Sequence, residues 1–161
     1  MQYLGLGLWF TALMMVAAPC VAADSATLND GTWIVVERCG ENLHAQEAAQ
    51  KRPFDRRTEL TVEKGHIAGH ERSVDNRNGA VTNIAYDGRI NGDQITLTGN
   101  GSRSNLKAPW TYAYVGTVTA DGHAELSGSI YMRLGNSGDA EPVRSCSLIF
   151  LGPKGAAAKG N

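Results

Sequence analysis

The stretch Trp110-Thr-Tyr-Ala-Tyr-Val-Gly-Thr-Val118, the turn Ala120-Asp-Gly122 and the segment 123–133 after it decide the fold. On both sides of the turn, apolar side chains recur at every second position, which is typical of β-strands with one buried face. A tight turn that contains glycine joins two such strands into an antiparallel hairpin. The sequence therefore predicts an antiparallel sheet, and the same pattern continues in both directions along the chain.

An earlier hairpin repeats this pattern. Tyr86-Asp-Gly88-Arg-Ile90 and Leu97-Thr-Gly99 parallel Tyr114-Val-Gly116-Thr-Val118 and Leu126-Ser-Gly128. In both hairpins glycine lies inside a strand, on the same face as the apolar residues, where it weakens the strand and needs a reason. We favour sharp coiling that closes a small barrel. Internal space left for a ligand is the alternative.

Period-two alternation predicts eight strands, at about 31–39, 57–63, 66–72, 82–90, 93–99, 110–119, 123–133 and 143–151. Tight glycine turns alternate strictly with the long links 40–56, 73–81, 100–109 and 134–142. Because successive connections of an antiparallel meander lie at opposite ends, the four long links gather at one end, which is a candidate binding face. Within the first link, Glu41–Arg52 is rich in Ala, Gln and Glu and stops at Pro53, which predicts a short helix.

The N-terminal segment has the pattern of an export signal. Residues 1–23 contain no charged side chain, and small residues, Val21-Ala-Ala23, follow the apolar run Leu4–Val16. This run is shorter than the ~20 residues that cross a bilayer. We predict cleavage after Ala23, a periplasmic or extracellular location and no stable membrane span in the mature chain; an uncleaved anchor is the alternative. The predicted organisation is a signal peptide at 1–23, an N-terminal leader at 24–30, a barrel at 31–152 and a disordered tail at 153–161.

Cysteine positions predict how the sheet closes. Cleavage removes Cys20 and leaves Cys39 and Cys146, which have one possible pairing in an oxidising compartment. In a closed eight-strand meander the first and last strands pair, and these two cysteines become neighbours. We therefore predict an all-β fold, an eight-stranded antiparallel up-and-down barrel with one short helix after the first strand and one disulfide. An open β-sandwich is the alternative.

Charge and motifs exclude several classes of function. The 161 residues carry a formal net charge of −1, which removes the electrostatic basis for general nucleic-acid binding. The Gly-x-Ser-x-Gly pattern of a nucleophile elbow does not occur. On a strand, His66 and His70 lie ~13 Å apart, too far to share a metal ion. We expect no cofactor, no metal site and no nucleic-acid partner, and a protein that is not an enzyme.

Basic side chains in the long links are candidates for partner contacts. Arg77, Arg103 and Lys107 fall at the candidate binding face. A denser cluster lies in the first link, around Phe54. We interpret it as a solvated loop, with an acidic or phosphate ligand as the alternative, and it consists of Lys51, Arg52, Arg56 and Arg57.

Aromatic side chains are the second set of candidates. Trp110, Tyr112 and Tyr114 lie on one face of a predicted strand, and Tyr86 lies on the corresponding face of the repeated hairpin. Such side chains can line a cavity for a flat or apolar ligand. We favour core packing, because aromatic rings supply the volume that a glycine-rich core lacks.

The first and last predicted strands are apolar on both faces. The segments are Ile34-Val-Val36 and Leu148-Ile-Phe-Leu151. Their outer side needs a cover, for which the predicted helix, the remnant of the leader and a second subunit are candidates. If a second subunit is the cover, the protein forms a homodimer through the seam between strands one and eight.

The opening Asp30-Gly-Thr-Trp33, with Cys39 and the late Cys146, resembles a loose group of small exported bacterial β proteins closed by one disulfide. No firmly assigned activity comes with this resemblance. The chain is also faintly similar to avidins, which begin with a Gly-x-Trp strand and form an eight-strand meander. Avidins follow that tryptophan with asparagine and serine that hold biotin, whereas Ile34 and Val35 follow here, so the resemblance does not imply biotin binding.

Three hypotheses for the function follow. The first is a secreted or periplasmic non-catalytic binding module that uses the long-link end to hold a protein or a cell-envelope polymer, inhibition being one form of this. The second is a small-ligand-binding barrel with an aromatic-lined interior. The third is a hydrolase that uses loop carboxylates such as Asp139 and Glu141. An internal cavity of ~300 Å³ or more would favour the second hypothesis over the first.

Overall fold

The computed structural model of the chain describes residues 27–45, 51–134 and 139–155. Eight strands run in chain order: β1 (Gly31–Cys39), β2 (Phe54–Glu63), β3 (His66–Val74), β4 (Val81–Asn91), β5 (Gln94–Arg103), β6 (Trp110–Val118), β7 (Ala124–Arg133) and β8 (Ala140–Pro153). Each strand pairs antiparallel with the next, and β8 pairs antiparallel with β1, so the sheet closes into a barrel. The predicted up-and-down barrel is confirmed, and the sandwich alternative is wrong.

The seam between β1 and β8 is fastened as predicted. Cys39 and Cys146 are direct partners in the ladder and form a disulfide. The register shifts once along the seam, between Ile34 and Val35. On the outer side of the seam, Leu151 is exposed. A second subunit covering this side stays a prediction.

Five strands extend further toward the long-link end than the sequence predicts. Phe54–Arg56 belong to β2 and residues 100–103 belong to β5, so the predicted links 40–56 and 100–109 are too long. Asn100 and Gly101 have low strand propensity, but they pair with β4 on one side and with β6 on the other. The ladders on both sides outweigh the local propensity. The barrel wall is therefore taller at this end.

Several predictions fall on or near residues outside the described ranges. The signal peptide at 1–23 lies outside them, as does part of the predicted helix over Glu41–Arg52; residues 41–45 are described and contain a turn. The helix stays a prediction. β8 continues to Pro153, and residues 156–161 of the predicted tail lie outside the description. No helix in the described ranges is long and apolar enough to span a membrane.

The half of the barrel near the tight turns is a packed apolar core. Leu28, from the segment before β1, is buried in it, and the indole of Trp33 donates a hydrogen bond to the carbonyl oxygen of Asn29 (2.9 Å). The Trp33 and Phe150 rings meet edge to face at 6.1 Å. The other buried core side chains of this half include Val35, Leu60, Val62, Ile67, Ile95, Leu97, Leu126 and Leu148.

Inward-facing glycines lie directly against aromatic rings. A Cβ atom built on Gly99 would lie 2.9 Å from the Tyr86 ring and 3.0 Å from the Tyr112 ring. Gly101 meets the indole of Trp110 in the same way, and Gly128 meets Tyr114. The room that these glycines leave is therefore filled by neighbouring rings, an arrangement that lets a small barrel hold large side chains.

Candidate ligand-binding site

A cavity of about 500 Å³ opens at the long-link end of the barrel. Its lining combines three arginines with apolar, aromatic and amide side chains, and consists of Asn42, Phe54, Arg56, Thr82, Arg103, Asn105, Leu106, Trp110, Tyr112, Ile130, Met132, Val143 and Arg144. Most of these residues lie on strands. Phe54, Arg56 and Arg103 come from the strand extensions that the sequence did not predict. The taller wall is what builds the cavity.

Below the cavity, a carboxylate is sealed inside the barrel. Glu37 shares the inward face of β1 with Val35 and Cys39, and its side chain is 0% exposed. It accepts hydrogen bonds from the Arg56 guanidinium and the Tyr114 hydroxyl. Burial raises the pKa of Glu37, and the charge of Arg56 and the two hydrogen bonds oppose that shift. The carboxyl is therefore held by direct partners within the protein.

Arg56 is the centre of the polar network. It is the ladder partner of Glu37 on the adjacent strand, so the ion pair follows from the register of β1 and β2. Its Nη2 atom also donates to the hydroxyls of Tyr86 (2.5 Å) and Tyr112 (3.3 Å), and its Nε lies 3.7 Å from a carboxylate oxygen of Glu71. Burial disfavours the charge on Arg56, but these neighbours raise its pKa above the ordinary value, so it stays cationic.

The tyrosines link this network to the mouth of the cavity. Burial raises the pKa of Tyr86, Tyr112 and Tyr114, which keeps all three hydroxyls protonated. The rings of Tyr112 and Tyr114 stack at 6.2 Å, and Tyr86 lies 5.5 Å from Tyr112. At the top, Trp110 Nε1 donates to the Tyr112 hydroxyl (2.7 Å). The polar lower boundary of the cavity is therefore held in place from below.

The predicted site residues divide into three groups. Trp110, Tyr112 and Arg103 line the cavity. Tyr86 and Tyr114 are buried beside the Glu37–Arg56 pair and are not among the lining residues. Arg77 and Lys107 are exposed on links at the same end of the barrel, outside the lining. One basic candidate and two aromatic candidates thus meet in one cavity.

Arg56 corrects the interpretation of the basic cluster. Lys51, Arg52 and Arg57 are exposed, as expected of a solvated loop, but Arg56 lies on β2 with its side chain only 18% exposed. Glu37 is a further residue of the site that was not predicted from the sequence. Alternation along the strand could have identified both residues, because every second side chain faces the same side of the sheet. Glu37 follows Trp33 and Val35 at intervals of two. Arg56 precedes Thr58 and Leu60 in the same way.

Within the described residues, Glu37, Cys39 and Cys146 form a group whose potential ligand atoms lie within 4.8 Å of one another. The two sulfur atoms are bonded to each other in the disulfide and are not thiolates. The group is therefore part of the closing seam and not a metal centre.

Comparisons with models of protein families, with curated proteins and with solved structures found no significant match to this chain.

Proposed function

We propose that the protein is a non-catalytic barrel that binds a small molecule in the cavity at its long-link end. The lining of the cavity carries this proposal, because inward-facing strand residues of the barrel enclose a volume of about 500 Å³. This volume exceeds the ~300 Å³ that separates a ligand-sized cavity from ordinary packing defects, and lies within the ~300–1,000 Å³ of known ligand pockets. The concave site also combines apolar walls with a few polar groups, as such pockets do.

The rigidity of the lining supports the same function. Arg56 and Tyr112 are held by the hydrogen bonds described above, and Arg103 donates to Asp75 at 2.5 Å. Side chains that are already ordered lose little entropy when a ligand binds. A site on strands with this support suits a ligand of defined shape.

A test can use substitutions that fill the cavity. In Met132→Trp the larger side chain occupies the cavity, whereas Val115→Trp adds the same side chain to the exposed outer face of β6. The mature chain is incubated with the small-molecule fraction of a cell-envelope extract and analysed by native mass spectrometry. We expect the wild type and V115W to show the added mass of a bound small molecule, and M132W to show none. Equal adducts on M132W and V115W, or no adduct on any folded form, would overturn the proposal.

A binding module for a protein or an envelope polymer is the second candidate. Leu43, Val74 and Leu106 are exposed large apolar side chains at the long-link end, beside the exposed Arg77 and Lys107. Alanine at Arg77, Arg103 and Lys107 together should then weaken capture of a partner in a pull-down; Arg77→Ala/Lys107→Ala, which leaves the Arg103–Asp75 pair intact, should weaken it with thermal stability nearly unchanged. If capture survives all three changes, this surface is not the interface.

The hydrolase hypothesis receives no comparable support. Asp139 and Glu141 are exposed and lie outside the cavity lining. Glu37 is enclosed by Arg56 and Tyr114 and is also outside the lining. We therefore retain binding, and not hydrolysis, as the proposal.

We also infer that the protein is exported. A buried disulfide accords with an oxidising compartment. The intact mass of the protein recovered from the envelope fraction should lack residues 1–23 and correspond to a chain with no free thiol. Two free thiols in the recovered chain would contradict this inference.

A further inference from the structure

The charges around the cavity are arranged asymmetrically. Arg56, Arg103 and Arg144 belong to its lining, whereas the described residues that line it include no aspartate or glutamate. Arg56 is paired with Glu37 and Glu71, and Arg103 is paired with Asp75, and none of these three carboxylates belongs to the lining. A ligand in the cavity therefore meets guanidinium groups directly and the balancing carboxylates only behind them.

Two of these arginines retain unused donor capacity. The Nε atoms of Arg56 and Arg103 are buried, and that of Arg56 faces a carboxylate oxygen of Glu71 at 3.7 Å, so the donors left for a ligand are the Nη1 atoms, which are not among the buried unpaired atoms of the described residues. Each guanidinium carries five N–H donors, and the bonds described above use only the Nη2 atom of each. An anionic acceptor suits the planar guanidinium best, because it can accept charge-assisted hydrogen bonds from the free Nη1 donors.

Arg144 is already anchored to the backbone near the mouth. It donates to the carbonyl oxygens of Gly40 and Arg52, and its guanidinium lies 5.3 Å from the centre of the Phe54 ring. Arg144 thus contributes a guanidinium that is held in a fixed position in the lining.

The rest of the wall is apolar. Phe54 and Trp110 offer ring faces, while Ile130, Met132 and Val143 offer aliphatic surface. Flat apolar groups pack well on such rings, and methionine adapts to their outline. The ligand therefore has two parts, an acidic group and an apolar body.

We infer that the cavity binds a small amphipathic anion, a carboxylate, sulfonate or phosphate carried on a flat apolar body. This inference rests on the proposed function and specifies its ligand class. The acidic group lies toward Arg56 and Arg103, and the apolar body packs against Trp110 and Phe54.

Two fluorescent dyes with nearly the same aromatic body provide the test. Anilinonaphthalene sulfonate carries an acidic group, and N-phenylnaphthylamine is neutral. We expect the sulfonate to bind the mature chain at least about tenfold more tightly than the neutral dye at low ionic strength, the gain typical of a charge-assisted hydrogen bond. Added salt should weaken binding of the sulfonate only.

Substitutions locate the effect. Arg103→Gln should raise the Kd of the sulfonate about tenfold and leave that of the neutral dye unchanged, whereas Arg77→Gln, outside the cavity, should change neither. M132W should abolish binding of both dyes and V115W should not. Near-UV circular dichroism verifies that each variant is folded, and Arg103→Lys, which keeps the charge but not the planar fork, replaces R103Q if that variant does not fold.

The outcomes separate the inference from the function on which it rests. Equal affinity for the two dyes, an effect of R77Q as large as that of R103Q, or sulfonate binding that survives M132W overturns the anionic ligand class. The native mass spectrometry of envelope small molecules then decides independently whether the cavity binds a ligand of another class. Failure of both dyes to bind also overturns the inference made here.

Discussion

Glu37 and Arg56 show how two residues define the interior of the barrel. They face each other on adjacent strands and are hydrogen-bonded to each other, and tyrosine hydroxyls add one bond to each. A buried ion pair contributes little net stability relative to apolar side chains, but the loss of one member leaves an uncompensated buried charge. The pair therefore forms the polar lower boundary of the cavity.

Removal of one member should be much more damaging than removal of both. We expect Arg56→Met to lower the free energy of unfolding by about 3–5 kcal/mol, because the Glu37 carboxylate remains buried without its cation. The double variant Glu37→Leu/Arg56→Met should recover the larger part of this loss. Equilibrium unfolding in urea measures both. A double variant as unstable as R56M would show that the pair itself is not the cause.

Asp75 gives the expected pH dependence. The backbone N–H of Arg77, followed by the side chain of Arg103, lowers the pKa of Asp75 from its ordinary value of 3.8. Because the folded pKa is depressed, the stability that Asp75 adds is present above that ordinary value and is lost as the pH falls through the folded pKa. Urea unfolding measures the free energy of unfolding of the wild type and of Asp75→Asn. The difference between the two free energies should be constant at neutral pH and shrink below pH ~3.8. A difference that grows in acid would contradict this assignment.

At the scale of the element, β5 and β6 together form the aromatic wall. Glycines on β5 lie directly across from aromatic residues on β6, Gly99 from Tyr112 and Gly101 from Trp110. Each ring lies over the neighbouring glycine because no Cβ atom occupies that space. The alternation of small and large residues across two strands thus sets the thickness of the wall.

Gly101→Ala should therefore disturb Trp110. The added methyl group would overlap the indole, which must move away from the wall, at a cost of about 1–3 kcal/mol in unfolding free energy. The near-UV circular dichroism signal of tryptophan should change as well. Gly40→Ala is the matched control, because a Cβ there has its nearest neighbour at 3.6 Å, an ordinary contact. Equal effects of the two substitutions would refute this explanation.

At the scale of the whole molecule, closure depends on the seam between β1 and β8. The disulfide links residues 107 positions apart and joins the first strand to the last. In the chain-entropy model, such a long loop restricts the unfolded chain strongly. The same seam carries Glu37, two residues before Cys39 and opposite Leu148 of β8.

Loss of the disulfide should destabilise the barrel without changing its topology. For Cys39→Ser/Cys146→Ser we expect the free energy of unfolding to fall by about 4–5 kcal/mol on that model. Urea unfolding measures the loss. The free energy of unfolding of the wild type should fall by the same amount under reducing conditions. A loss well below 1 kcal/mol would mean that the seam closes without help from the covalent link.

Strand order, antiparallel closure and the disulfide were all predictable from the sequence. Alternation at Trp110–Val118, tight glycine turns and the positions of Cys39 and Cys146 at the same end of the first and last strands can be read along the chain, and an up-and-down meander leaves few ways to combine them. The inward direction of the four aromatic candidates was also predictable, from alternation along their strands alone. The strand ends were not, because pairing with two neighbours kept Asn100 and Gly101 in β5 against their local preference.

Only the tertiary structure decided that the barrel is open at its long-link end and that Glu37 and Arg56 meet beneath the opening. A cavity is the difference between the space that the wall encloses and the side chains that fill it, and this difference depends on distances across the barrel that alternation along one strand does not contain. Sequence by itself therefore determined which residues face inward. Three-dimensional packing determined which of those residues fill the interior and which are left to line an empty space.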